Sequence, residues 1–122
     1  MSPTDAFVEF ASRVLVPAKA ERFRGIAFSE KAQRKVLDDL CHRSEGAILE
    51  SAKRGNDVQL IENLPCFAFH ASCGFGKEFP TVREAMAALG REDGWLIVVS
   101  DGSAGVYRPE ARWDGQVVIV AE

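Results

Sequence analysis

The feature that most constrains the fold is an unbroken run of five apolar residues, Trp95 to Val99. A strand with one face in solvent alternates apolar and polar residues, so this run predicts a central strand that is covered on both faces. The run is much shorter than the roughly 20 apolar residues that a membrane-spanning helix requires. In a chain of 122 residues it predicts one domain, residues 1–122, built around a sheet.

Turn signals on the C-terminal side of this strand predict an antiparallel meander. Asp-Gly pairs stand at 101–102 and 114–115, and Asp-Gly is a strong turn sequence because glycine adopts positive φ without steric cost. Connections this short join antiparallel neighbours. We therefore expect strands at 105–108 and 116–121 beside the central strand.

The first half of the chain is helical in its periodicity. Apolar residues recur on one helical face between residues 7 and 15, after the capping residue Ser2. A second apolar stripe follows Ser29. The charged segment 17–25 between them predicts a packed linker, and the segment 44–54 is compatible with a helix or a strand.

A capped helix interrupts the strands of the second half. Two strands are predicted before it, at 57–62 by alternation and at 66–72 by aromatic and small residues. Thr81 and Glu84 then form a capping box, in which each side chain can bond the backbone N–H of the other residue. Gly90 can end the helix in a left-handed conformation.

These elements predict an α+β fold. The sheet is expected to be largely antiparallel, with four or five strands and a C-terminal meander, and the helices are expected to pack mainly on one face. A net charge of −3 argues against nucleic acid and anionic membranes as partners. Three unevenly spaced cysteines and an N-terminus without a signal-like apolar stretch predict a cytoplasmic protein.

Cysteine and histidine supply the candidate catalytic residues. Cys66 and His70 would lie about 13 Å apart along one strand, at roughly 3.3 Å per residue, which is too far to share a metal ion. We therefore predict no metal site and no cofactor. Cys73 is expected in an accessible loop, where His70 or His42 could act as its base. A small enzyme with such a Cys/His pair is one alternative function.

The segment Gly74, Phe75, Gly76 and Lys77 is the predicted binding site. It lacks the first glycine and the Ser/Thr of a Walker A loop, and it lacks the last glycine of the dinucleotide fingerprint. We expect a loop between a strand and the capped helix. Two glycines would let its backbone approach a partner closely, with Phe75 as the apolar anchor and Lys77 at the rim.

A basic stretch in the first half resembles a nucleic-acid patch. Its residues are Lys19, Arg22, Arg24, Lys31, Arg34 and Lys35. Arg34 and Lys35 have Asp38 and Asp39 one helical turn on, and such i,i+4 pairs neutralise a helix face. A solvated helix surface is therefore the preferred interpretation.

No complete catalytic, metal or cofactor motif is present, so the sequence favours a binding module. We expect a small regulatory protein that acts through contacts with a protein partner or with its own copies, such as an antagonist of a toxic or regulatory protein. Residues 1–56 carry a net charge of +2 and residues 57–122 carry −5, which is compatible with charge-guided association. A small-molecule-binding domain is the third possibility.

Overall fold

The computed structural model describes residues 2–42, 58–90, 92, 94–108 and 117–120, with the backbone alone for 39–42 and 117–120. The helices are α1 (Pro3–Val14), α2 (Pro17–Ile26), α3 (Glu30–His42) and α4 (Val82–Leu89). The strands are β1 (Cys66–His70), β2 (Gly74–Phe79), β3 (Trp95–Val99), β4 (Ala104–Arg108) and β5 (Val117–Val120). A short 3₁₀ turn, Val58–Leu60, precedes β1.

The strands form one antiparallel sheet in the order β2-β1-β3-β4-β5. This confirms the predicted α+β class and the C-terminal meander, which is β3-β4-β5. The apolar run is the middle strand, and none of its five residues is more than 4% exposed. Its burial on both faces explains why the run contains no polar residue.

Helices cover both faces of the sheet, with three of the four described helices on one face. The core on the side of α1, α2 and α3 joins the aromatic residues Phe7, Phe10 and Phe23 to sheet residues such as Phe69 and Leu96. On the other face, α4 and the segment around Ile61 pack against the alternate sheet residues. The expectation that helices lie mainly on one face is thus confirmed.

Local capping sets the starts of α1 and α4 as predicted. The backbone N–H of Asp5 donates to Ser2 Oγ over 3.1 Å. The N–H of Glu84 donates to Thr81 Oγ1 over the same distance. Gly90 ends α4 with φ +57° while its N–H donates to the Met86 carbonyl. Each contact satisfies a backbone group that a helix end would otherwise leave without a partner.

The predictions for the segments 57–62 and 17–25 are wrong. Of the predicted strand 57–62, residues 58–62 are not a strand, because residues 58–60 form the 3₁₀ turn and the following residues form further turns. The carbonyls of Glu62 and Leu64 accept from the N–H groups of Arg83 and Val82, so this segment caps α4 instead of joining the sheet. The predicted linker 17–25 is α2.

Proline explains why α2 was mistaken for a linker. Pro17 ends the periodic pattern of α1, but it occupies the first turn of α2, where its missing N–H costs nothing. The helix buries only Ala20 and Phe23, so its apolar stripe is weak in the sequence. The open segment 44–54 lies outside the described residues.

Candidate functional site

The predicted binding loop is an edge strand. Gly74 to Lys77 belong to β2, which pairs only with β1 in the described sheet. Ala68 opposes Lys77 and Phe69 opposes Phe75, so Gly76 is an extra residue, a β-bulge with φ +108°. The expectation of a flexible loop is therefore wrong. A glycine bulge in an edge strand bends it and limits pairing with other chains.

The apolar and glycine residues of this strand make contacts within the chain. Phe75 is half-buried, meets the Phe69 ring edge-on at 6.2 Å, and lies 4.7 Å beneath the guanidinium of Arg34. A Cβ on Gly76 would lie 2.7 Å from Pro3 Cβ. The close backbone approach at Gly76 is thus to the first turn of α1. Lys77 is exposed.

Cys73 lies in the turn between β1 and β2. Its Sγ contacts the carbonyl oxygens of Gly74 at 3.4 Å and His70 at 3.8 Å. Burial raises the pKa of this thiol, against weaker lowering by backbone hydrogen bonds and Lys77. Burial also raises the pKa of Cys66, to about 12. Both shifts disfavour the thiolate, which is the nucleophilic form.

The imidazole of His70 takes part in the structure of the same turn. Its Nδ1 accepts from the Ser72 backbone N–H at 3.1 Å and lies 2.8 Å from Ser72 Oγ. The Glu92 carboxylate is 3.2 Å from the same nitrogen. His42 ends α3, and its side chain lies outside the described part of the chain.

The strand that separates Cys66 from His70 is present, which supports the distance argument against a shared metal ion. Among the described residues, no group of three or more His, Cys, Asp and Glu side chains is arranged to hold a metal. The absence of bound metal stays a prediction. Within the same residues, no helix has both the length and the apolar character for crossing a membrane.

A second surface, which the sequence did not predict, is a groove between α2 and α3. It encloses about 80 Å³ and its walls are mostly apolar. The apolar lining residues are Leu15, Phe23, Ile26 and Val36, and the cationic ones are Lys19, Arg22 and Lys35. We call this surface the α2–α3 groove. Its cations belong to the basic stretch noted in the sequence.

Two large apolar side chains are exposed where α2 ends, and the first of them, Ile26, also lines the groove. Ile26 is 51% exposed, and Phe28, in the turn that follows α2, is 89% exposed. The turn is well bonded: Ser29 N–H donates to the Ile26 carbonyl, and the buried Gln33 amide donates to the Ala27 carbonyl over 2.8 Å. Phe28 therefore lies exposed to solvent on a turn whose backbone is fixed by hydrogen bonds.

The residues of the basic stretch make different contacts. Arg34 forms an ion pair with Glu30, at 3.6 Å, and its guanidinium also lies over Phe75. Arg24 donates to Ser12 Oγ. Arg22 and Lys35 are exposed beside the groove. The predicted pairing of Lys35 with Asp39 lies outside the described side chains.

Comparisons of the chain with protein families, curated proteins and solved structures find no match.

Proposed function

We propose that this protein is a small binding module that acts through contacts with a protein partner, and that the α2–α3 groove is its docking surface. The observation that carries the proposal is that the exposed Ile26 lines an apolar groove and that the exposed Phe28 follows it two residues later in the chain. A single exposed apolar residue is common on protein surfaces. Two of them on a well-bonded corner, next to an apolar depression, are typical of an interaction site.

The energetic reason is the apolar surface that Phe28 and Ile26 leave in water. Covering a side chain of this size contributes about 1.5–3 kcal/mol. The turn that carries them is already ordered by the Gln33 and Ser29 hydrogen bonds, so binding does not have to order that backbone.

The size of the groove favours a protein side chain over a small molecule. Pockets for small molecules usually enclose about 300–1,000 Å³, and a cavity of roughly 150 Å³ holds benzene. The α2–α3 groove encloses about 80 Å³. It is therefore suited to one aliphatic side chain of a partner, with Phe28 and Ile26 supplying contact area around it.

The chemistry of the thiols gives the enzyme alternative little support. A nucleophilic cysteine needs a lowered pKa or an adjacent base. Burial raises the pKa of Cys73, and its thiol contacts backbone carbonyls. A domain that binds without chemistry acts by covering a surface of its partner, so we propose that it regulates or antagonises that partner.

A comparison of two apolar surface variants tests the proposal. Phe28→Ser removes an aromatic residue that is 89% exposed, and Leu60→Ser removes a residue that is 69% exposed in the 3₁₀ turn. Tagged wild-type and variant chains are incubated with a lysate of the cells that make the protein, and bound proteins are quantified by mass spectrometry. We expect Phe28→Ser to lose the proteins that the wild type and Leu60→Ser both retain. Equal retention by Phe28→Ser would refute the docking surface.

A further inference from the structure

The charge of the α2–α3 region is opposite to that of the whole chain. Residues 17–38 contain six basic and three acidic residues, a net charge of +3, whereas the complete chain carries −3. Lys19, Arg22 and Lys35 line the α2–α3 groove itself. Three of the six basic residues of this region therefore line the apolar groove.

From this arrangement we infer that the partner docks an acidic amphipathic helix on the α2–α3 groove. One apolar side chain of that helix occupies the groove, and carboxylates on either side of it meet Lys19, Arg22 and Lys35. The inference rests on the proposed docking function and names the chemistry of the partner.

The apolar walls distinguish this site from one for a phosphate backbone. Leu15, Phe23 and Val36 line the groove, and their side chains cannot form hydrogen bonds with a sugar-phosphate chain. Recognition of nucleic acid relies mainly on contacts to phosphate and base edges. An amphipathic helix instead offers apolar residues on one face and charges beside them, and grooves between helices commonly receive such segments.

Two of the neighbouring basic residues also make contacts within the chain. Arg34 contacts Glu30 and the Phe75 ring, and Arg24 bonds Ser12. Opposite charges at the rim of an interface mainly increase the association rate and select the partner. The apolar contact then supplies most of the affinity.

Photo-crosslinking identifies the docked segment. Benzoylphenylalanine replaces Ile26 in the full chain, the chain is irradiated in a lysate of the cells that make it, and crosslinked peptides are sequenced. We expect a helix-forming segment with more Asp and Glu than Lys and Arg. A neutral or basic segment, nucleic acid, or a second copy of this chain would overturn the acidic-helix inference. If no macromolecule is crosslinked, the docking function itself fails.

Charge reversal then tests the rim with matched variants. Arg22→Glu combined with Lys35→Glu alters the groove, and Lys77→Glu combined with Arg83→Glu makes the same change in net charge at exposed residues outside residues 17–38. The crosslinked segment is synthesised as a labelled peptide, and Kd is measured by anisotropy at low and high salt. We expect the rim pair to weaken binding about 10-fold or more and the control pair about 2-fold or less.

Two further results decide the interpretation of that experiment. High salt should weaken wild-type binding toward that of the rim variant, because salt screens exposed charges. If the rim variant melts earlier than the wild type, Arg22→Gln with Lys35→Gln replaces it. Equal weakening by the rim and control variants would contradict the inference.

Discussion

Gly105 shows how one residue sets the distance between a helix and the sheet. A Cβ at this position of β4 would lie 2.7 Å from the Phe10 ring and 3.0 Å from the Ile97 carbonyl oxygen. Its φ is not in the left-handed region, so space alone requires glycine here. Phe10 of α1 is buried against this gap, and α1 therefore packs close to the strand.

We expect Gly105→Ala to destabilise the fold by about 1–3 kcal/mol, because the added methyl group overpacks the Phe10 site. Gly25 is the matched control: it lies within α2, a methyl group added to it would meet no atom within 4 Å, and its φ is ordinary. Gly25→Ala should stabilise the protein by about 0.5–1 kcal/mol through helix propensity. Urea denaturation midpoints measure both effects, and a neutral Gly105→Ala would show that α1 is farther from β4.

The sequence revealed residues whose partners are near in the chain and concealed those whose partners are distant. Ser2 and Thr81 were identified because each bonds an N–H three residues on. The role of Gly105 depends on Phe10, which is far away in sequence, and no local pattern reports such a contact. For the same reason the sequence does not reveal that Gly76 lies close to Pro3. The sequence analysis instead expected the backbone at Gly76 to approach a binding partner.

Among the secondary-structure elements, those with a regular spacing of apolar residues are predicted correctly from the sequence, and those with an irregular spacing are not. The runs that form α1, α4 and β3 are regular, and their structures match the predictions. β2 was missed because two positive-φ glycines break its alternation. The sequence does not predict helix α2, because α2 buries only two residues. Since α2 forms one wall of the α2–α3 groove, the sequence does not predict the groove either.

The edge strand β2 carries a prediction about Phe75. Because this ring packs on Phe69 and under Arg34, we expect Phe75→Ala to destabilise the fold by about 1–3 kcal/mol, part of the cost of truncating a buried phenylalanine. Lys77→Ala on the same strand is the control and should change stability by less than about 0.5 kcal/mol. Melting curves measure both. A Phe75→Ala protein of unchanged stability that binds its partner more weakly would restore β2 as a docking site.

For the whole molecule, the sequence predicts the fold class but not the order of the strands in the sheet. The apolar run required a covered sheet, and Asp-Gly turns gave the meander. The pairing of β1 with β3, in which Cys66 opposes Val99, joins segments separated by β2 and α4. The strand order depends on how α1–α3 pack on one face of the sheet and α4 on the other. Such packing between distant segments is not visible in a local sequence pattern.

The folded molecule has two distinct surfaces, the β2 edge and the α2–α3 groove. In the sequence they are visible only as a glycine-rich segment and a basic segment. Phe75 and Gly76 of the β2 edge make contacts within the chain. The α2–α3 groove combines exposed apolar residues, an apolar depression and a rim of cations. We therefore propose that residues 17–38 bind the partner and that most of residues 70–79 have structural roles.

Amide hydrogen exchange of the complex tests this assignment most directly. The protein is exchanged alone and with the partner captured through Phe28, and peptides covering the chain are compared. We predict slower exchange in the complex at the α2–α3 corner, residues 25–31, and along the exposed faces of 17–38, with little change at 74–79. Slower exchange confined to 74–79, with 17–38 unchanged, would contradict the account and place the partner on the edge of the sheet.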